Sequence, residues 1–137
     1  MAGTTLQMVY DAFFIKSGVD YTDQEDKVYQ YFKTGVGKTS DTTSTDLTYT
    51  VSADYSGNFT ATLTQKDIEL IALYMFLEEK RRKKSTLDNI KKDYIGTKDF
   101  NRLPNKLDEY KMLNQSMKDL QDEIFLFRQE FYSYENT

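Results

Sequence analysis

The stretch Ile68-Glu69-Leu70-Ile71-Ala72-Leu73-Tyr74-Met75-Phe76-Leu77 has one charged residue, Glu69, among ten positions. A helix that is hydrophobic on every side is buried on every side. This segment therefore predicts the central helix of a bundle, and it is too short, at about half a span, to cross a membrane. Thr64 with Asp67 three residues on supplies a cap at its start. Beyond Leu77 come Glu78-Glu79 and the basic run Lys80-Arg81-Arg82-Lys83-Lys84, favourably placed if the helix ends there. A separate, shorter helix is then expected over 85–94, with Leu87, Ile90 and Tyr94 facing inward and Gly96 closing it.

Upstream, Leu6, Val9, Tyr10, Phe13 and Phe14 recur at helical spacing after a possible cap at Thr4 or Thr5, and Gly18 ends the pattern. Thr22-Asp23-Gln24-Glu25 has the form of a capping box. It opens a second helix carrying Val28, Tyr29, Tyr31 and Phe32, expected to stop near Gly35. From 34 to 64 the composition shifts: fourteen of 31 residues are Ser or Thr. Gly35 to Asp46 offers little to bury and reads as a flexible loop. Leu47, Tyr49 and Val51, then Phe59, Ala61 and Leu63, alternate around Asp54-Tyr55-Ser56-Gly57-Asn58, a hairpin pattern. A lone hairpin is marginal in water, so this one is expected to lean on a partner or a neighbouring subunit through Tyr49, Tyr55 and Phe59.

Downstream, Pro104 suits the first turn of a last helix. Its apolar positions are Leu107, Tyr110, Leu113, Met117, Leu120, Ile124, Phe127, Phe131 and Tyr134. After the first step the spacing alternates three and four over about four heptads. Aromatics fall on more than one face at the end of this pattern, and Phe131, Tyr132 and Tyr134 are the candidate partner-binding residues. Altogether the sequence predicts one mainly α domain over residues 1–137. It is a helical bundle with a long C-terminal helix and a loop-and-hairpin insertion at about 35–63, between the second and third helices.

The inventory narrows function by exclusion. The 137 residues include neither Cys nor His, which removes thiolate and imidazole chemistry: no Ser-His or Cys-His triad and no zincin motif. No enzyme activity, catalytic residue, metal site or cofactor is expected. Gly35-Val36-Gly37-Lys38-Thr39 superficially resembles a P-loop, but Phe32 occupies the position of the required first glycine and helix-like sequence precedes it. Acidic pairs such as Asp122-Glu123 point apart on a helix. The net charge of −4 argues against a general nucleic-acid binder, and nothing in the first residues reads as a signal peptide. The basic run, Lys80, Arg81, Arg82, Lys83 and Lys84, is either a solvated helix end partnered by Glu78, Glu79 and Asp88 or a phosphate-binding patch.

Two blocks carry a family resemblance. The first is Leu63-Thr64-Gln65-Lys66-Asp67-Ile68-Glu69-Leu70-Ile71-Ala72-Leu73-Tyr74-Met75, with Phe59 upstream. The second is Thr97-Lys98-Asp99-Phe100, then Pro104-Asn105-Lys106-Leu107, then a long helix ending Tyr132-Ser133-Tyr134. Over residues 59 to 134 the chain resembles the head-to-tail connector, or neck adaptor, proteins of long-tailed bacteriophages, with Pro104 in place of the family's Ala. The resemblance implies a structural virion protein that forms a ring, commonly of twelve subunits, beneath the portal. Genomic DNA would pass through the lumen without specific binding, and further neck or tail proteins would dock below. The implied location is the virion neck, assembled in the bacterial host cytoplasm and without membrane contact. The Ser/Thr-rich insert departs from that pattern. The rival expectation is a helical nucleic-acid-binding or regulatory module that uses the basic run.

Overall fold

A computed structural model describes residues 3–93 and 104–133 of the chain, with side chains described for 3–89 and 108–133. Expectations that fall on Ile90, Tyr94, Gly96, the 97–100 block, the side chain of Leu107 and Tyr134 lie outside those residues. Four helices are described: α1 (Leu6–Ser17), α2 (Glu25–Ser40), α3 (Gln65–Asp93) and α4 (Pro104–Tyr132). Between α2 and α3 lie β1 (Tyr49–Val51) and β2 (Gly57–Phe59), paired antiparallel with Tyr49 opposite Phe59 and Val51 opposite Gly57. The fold is therefore mainly helical with a two-stranded insertion, as the sequence patterning predicts.

α3 packs against the three other described helices, which explains its lack of a polar face near the start. Ile68, Ile71, Ala72 and Met75 join Leu6, Val9, Phe13, Val28 and Phe32 in one core. Leu70, Leu73, Tyr74 and Leu77, on the other side, join Leu120, Ile124 and Tyr132 of α4 in a second. One helix with 3.6 residues per turn thus serves two cores, and both faces must be apolar. The Thr64 hydroxyl donates to Asp67 Oδ2 at 3.1 Å at the start of α3. α1 begins with the Thr5 side chain accepting from the Met8 N–H and ends at Gly18, whose φ of 67° is the left-handed conformation favoured at a helix stop.

Three features differ from the sequence expectation. First, α2 is not opened by a Thr22 capping box. Gln24 precedes it without a side-chain cap, and the Thr22 hydroxyl donates to Asp20 instead. Second, α2 continues through Gly35 to Ser40. A Cβ at Gly35 would lie 2.8 Å from the Ile71 carbonyl oxygen and 3.0 Å from Met75 Cγ. This glycine is therefore a close-approach residue between two helices, not a stop signal. The segment 35–46 is helical to Ser40 and a loop beyond it, and it packs inward through buried Thr39, Thr42 and Thr43. Third, α3 runs unbroken to Asp93, and the basic run sits within a helix, away from any C-terminal dipole.

The hairpin also has support within its own chain. The Phe59 N–H donates to the Thr4 carbonyl at 2.9 Å, Thr5 bridges to Asn58, and the Thr4 hydroxyl accepts from the Leu63 N–H at 2.8 Å. The Tyr10 hydroxyl reaches 45 residues ahead to donate to the Tyr55 carbonyl at the hairpin turn, at 2.8 Å.

Candidate interaction surfaces

The end of α4 is anchored through a buried carboxylate. Asp67 has no exposed surface, and burial alone would push its carboxyl up. The hydroxyls of Tyr132, Thr43, Thr45 and Thr64 outweigh that and hold it below the usual carboxylate range. Tyr132 donates to Oδ1 at 2.7 Å and Thr43 donates to the same oxygen at 2.9 Å. Tyr132 is only 1% exposed. Lys66 Nζ stands 4.6 Å from the centre of its ring and donates to the Phe131 carbonyl at 3.1 Å. The node thus joins three regions far apart in sequence: the segment after α2, the first turn of α3 and the last turn of α4.

Tyr132, expected as a partner-binding residue, is therefore an internal anchor whose hydroxyl serves Asp67, while Phe131, which the heptad pattern includes, faces outward. Phe131 is 43% exposed, packed against Phe127 with ring centres 4.6 Å apart. Phe125 and Leu126, which open the stretch where aromatics fall on more than one face, are 58% and 62% exposed. Buried aromatic Phe59 and half-buried Tyr49 belong to the first core, where Tyr49 lies edge-on to Phe32 at 5.1 Å. Tyr55 rests against Tyr29 at 5.2 Å. The hairpin candidates therefore make intramolecular contacts. Burial, with Tyr29 and Tyr49 nearby, also raises the Tyr10 hydroxyl's pKa, consistent with its role as a donor.

The basic run is organised around a second buried carboxylate. Glu78 is 2% exposed and receives Arg81 through two nitrogens, Nε at 2.8 Å and Nη2 at 2.5 Å. Arg82 Nε adds a third contact at 3.0 Å. Burial acts to raise the Glu78 carboxyl, but the hydrogen bonds and charges of the two arginines lower it overall. The Arg82 guanidinium also stands over the Tyr31 ring at 5.0 Å. Lys83 lies 3.7 Å from Glu109 of α4, and Lys80 stands over Phe76 at 4.4 Å. Neighbouring Glu79 accepts from Ser17 at 2.6 Å and from the Tyr21 hydroxyl. Burial first, and Glu79 second, push the Tyr21 phenol's pKa upward.

These residues border a cleft of about 580 Å³ where the end of α1, α2, α3 and Leu113 of α4 meet. Four of its lining residues are cationic, Lys27, Lys80, Arg82 and Lys83, against the single carboxylate Glu79. A second pocket of about 460 Å³ lies between α1, α2 and the hairpin turn. Among the described residues no group of three or more acidic side chains is placed to hold a metal ion, and no described helix is long and apolar enough to cross a membrane.

What the fold and these surfaces define is a class, a helical bundle whose conspicuous side-chain chemistry lies in buried carboxylate nodes and exposed apolar residues. No family model matches the sequence, and no characterised protein or solved structure matches it either.

Proposed function

We propose that this chain is a ring-forming head-to-tail connector of a tailed bacteriophage, a structural and non-enzymatic virion protein that docks beneath the portal and lets DNA pass. The resemblance over residues 59–134 supplies the reading. The observation that supports it best is the apolar surface toward the end of α4: Phe125 and Phe131 stay exposed while Tyr132 is locked inward. Exposed aromatic anchors on a rigid helix suit a docking surface, because a few such residues often dominate an interface. The rival nucleic-acid reading is weaker, since Arg81 and Arg82 are both committed to Glu78. The test is co-purification and native mass spectrometry with the portal protein encoded alongside this chain. Phe131→Asp should abolish the complex while leaving the helical circular-dichroism spectrum intact. A portal complex that survives Phe125→Asp combined with Phe131→Asp counts against the docking surface. Absence of any complex with wild-type protein counts against the connector reading itself.

A further inference from the structure

The outward face of α4 has its own periodicity. Asp108, Met112, Gln115, Asp119, Asp122 and Leu126 are spaced four, three, four, three and four apart, and every one is exposed. Such spacing keeps residues on one side of a helix. Over 18 residues at 1.5 Å each the stripe is about 27 Å long. It lies away from the face that packs on α3, which carries Leu113, Leu120 and Ile124. Glu123 and Glu130 border its lower half, beside Leu126 in a shallow surface depression. Lys111 and Lys118, both exposed, border its other side, so the face is apolar at two points and acidic on balance.

A helix face with heptad-like spacing and large exposed apolar residues such as Met112, at 73%, and Leu126 has the form of a packing seam. Packing two copies of this seam on each other is disfavoured, because Asp108, Asp119 and Asp122 within it would stand among carboxylates of the other copy. The cleft beside α3 has the complementary character. Its lining includes Lys27, Lys80 and Lys83 together with apolar Val19, Phe76 and Leu113. We propose that the acidic outer stripe of α4 in one copy docks against the basic cleft of a second copy of this chain. Each copy then offers one surface and receives the other. Such head-to-tail contacts are heterologous and close into a ring when the rotation between copies permits. The inference rests on the connector reading for the closed ring, and adds which surfaces meet.

The experiment is a charge swap read by native mass spectrometry and sedimentation. One variant carries Asp122→Lys and Glu123→Lys; the other carries Lys27→Glu and Lys80→Glu. None of these four residues is placed at a buried node. Wild-type protein should self-associate at low salt and dissociate as salt rises, because exposed charge pairs are screened. Each variant alone should associate at least about tenfold more weakly, with like charges now opposed at the contact. Mixed together, the two variants should reassemble into species containing equal numbers of each. Monomeric wild-type protein at low salt, or a mixture that fails to reassemble, overturns the proposal. So does binding of single-stranded DNA by the wild type that Lys27→Glu with Lys80→Glu abolishes while self-association is unchanged, since the cleft would then belong to nucleic acid. Portal binding is measured separately. Wild-type protein that binds the portal yet stays monomeric refutes the surfaces, whereas self-association without portal binding refutes the connector reading.

Discussion

Removing one oxygen atom at Tyr132 tests how the two ends of the fold are joined. Tyr132→Phe keeps the ring in its place between α3 and α4 but deletes the hydroxyl that donates to Asp67 at 2.7 Å. A hydrogen bond to a charged group contributes about 1.5–3 kcal/mol, and Asp67, fully buried, cannot recover the lost donor from solvent without opening the structure. The hydroxyls of Thr43 and Thr64 remain on the carboxylate, so we expect a loss near the middle of that range, about 2 kcal/mol. At roughly 4 °C per kcal/mol for a chain of this size, the melting temperature should fall by about 8 °C. Tyr132→Ala also leaves a cavity beside Leu70 and Leu73, raising the loss to about 3–5 kcal/mol or beyond. The pH dependence follows from the lowered Asp67 carboxyl. A group whose folded value lies below its unfolded value stabilises above the unfolded value, about 4 for Asp, and loses that contribution as pH falls through the folded value. The gap between wild type and Tyr132→Phe should therefore be full at pH 7 and shrink in acid. Urea denaturation followed by circular dichroism at several pH values measures it. Equal stability of wild type and Tyr132→Phe at pH 7 would falsify the buried node.

Further perturbations probe the remaining contacts. Gly35→Ala should cost about 1–3 kcal/mol through the clash with Ile71 and Met75. Gly37→Ala in the same helix meets nothing within 4 Å and should stabilise by up to about 1 kcal/mol; equal effects in denaturant titrations would show that α2 does not approach α3 as described. Thr43→Val removes another donor to Asp67 and should cost about 1–2 kcal/mol. For the same reason, excision of 41–45 should sharply lower the melting temperature, and an unchanged melt would restore the view of this segment as a dispensable loop. Glu78→Gln should destabilise at pH 7 by about 1–3 kcal/mol, because both arginines lose their charged partner. The loss should fade in acid, where wild-type Glu78 itself becomes protonated; a difference that grows as pH falls would refute the assigned direction.

Much of the local chemistry was legible in the sequence, the Thr22 cap excepted, whose hydroxyl Asp20 takes instead. The helical spacing of Leu6 to Phe13, the glycine stop at Gly18, the Thr64 cap and the hairpin alternation each depend on neighbours within a few residues. The run from Ile68 to Leu77 announced burial on all sides because no polar face was available, and its place between two cores followed. Tertiary structure decided the rest. Gly35 reads as a helix stop in isolation, since glycine weakens helices, yet close approach of Ile71 and Met75 makes its missing side chain a packing requirement. The Ser/Thr-rich segment after it looks unable to bury anything, until Asp67 from a distant helix supplies an acceptor for Thr43. Glu78 and its arginines look like a surface charge run; burial of the carboxylate turns them into an anchored cluster. Heptad spacing assigns Phe131 to the core, but a helical period states only which residues share a face. At the last turn of α4, a hydroxyl able to satisfy the buried Asp67 draws Tyr132 inward instead, because an unpaired buried carboxylate costs more than exposing one phenyl ring.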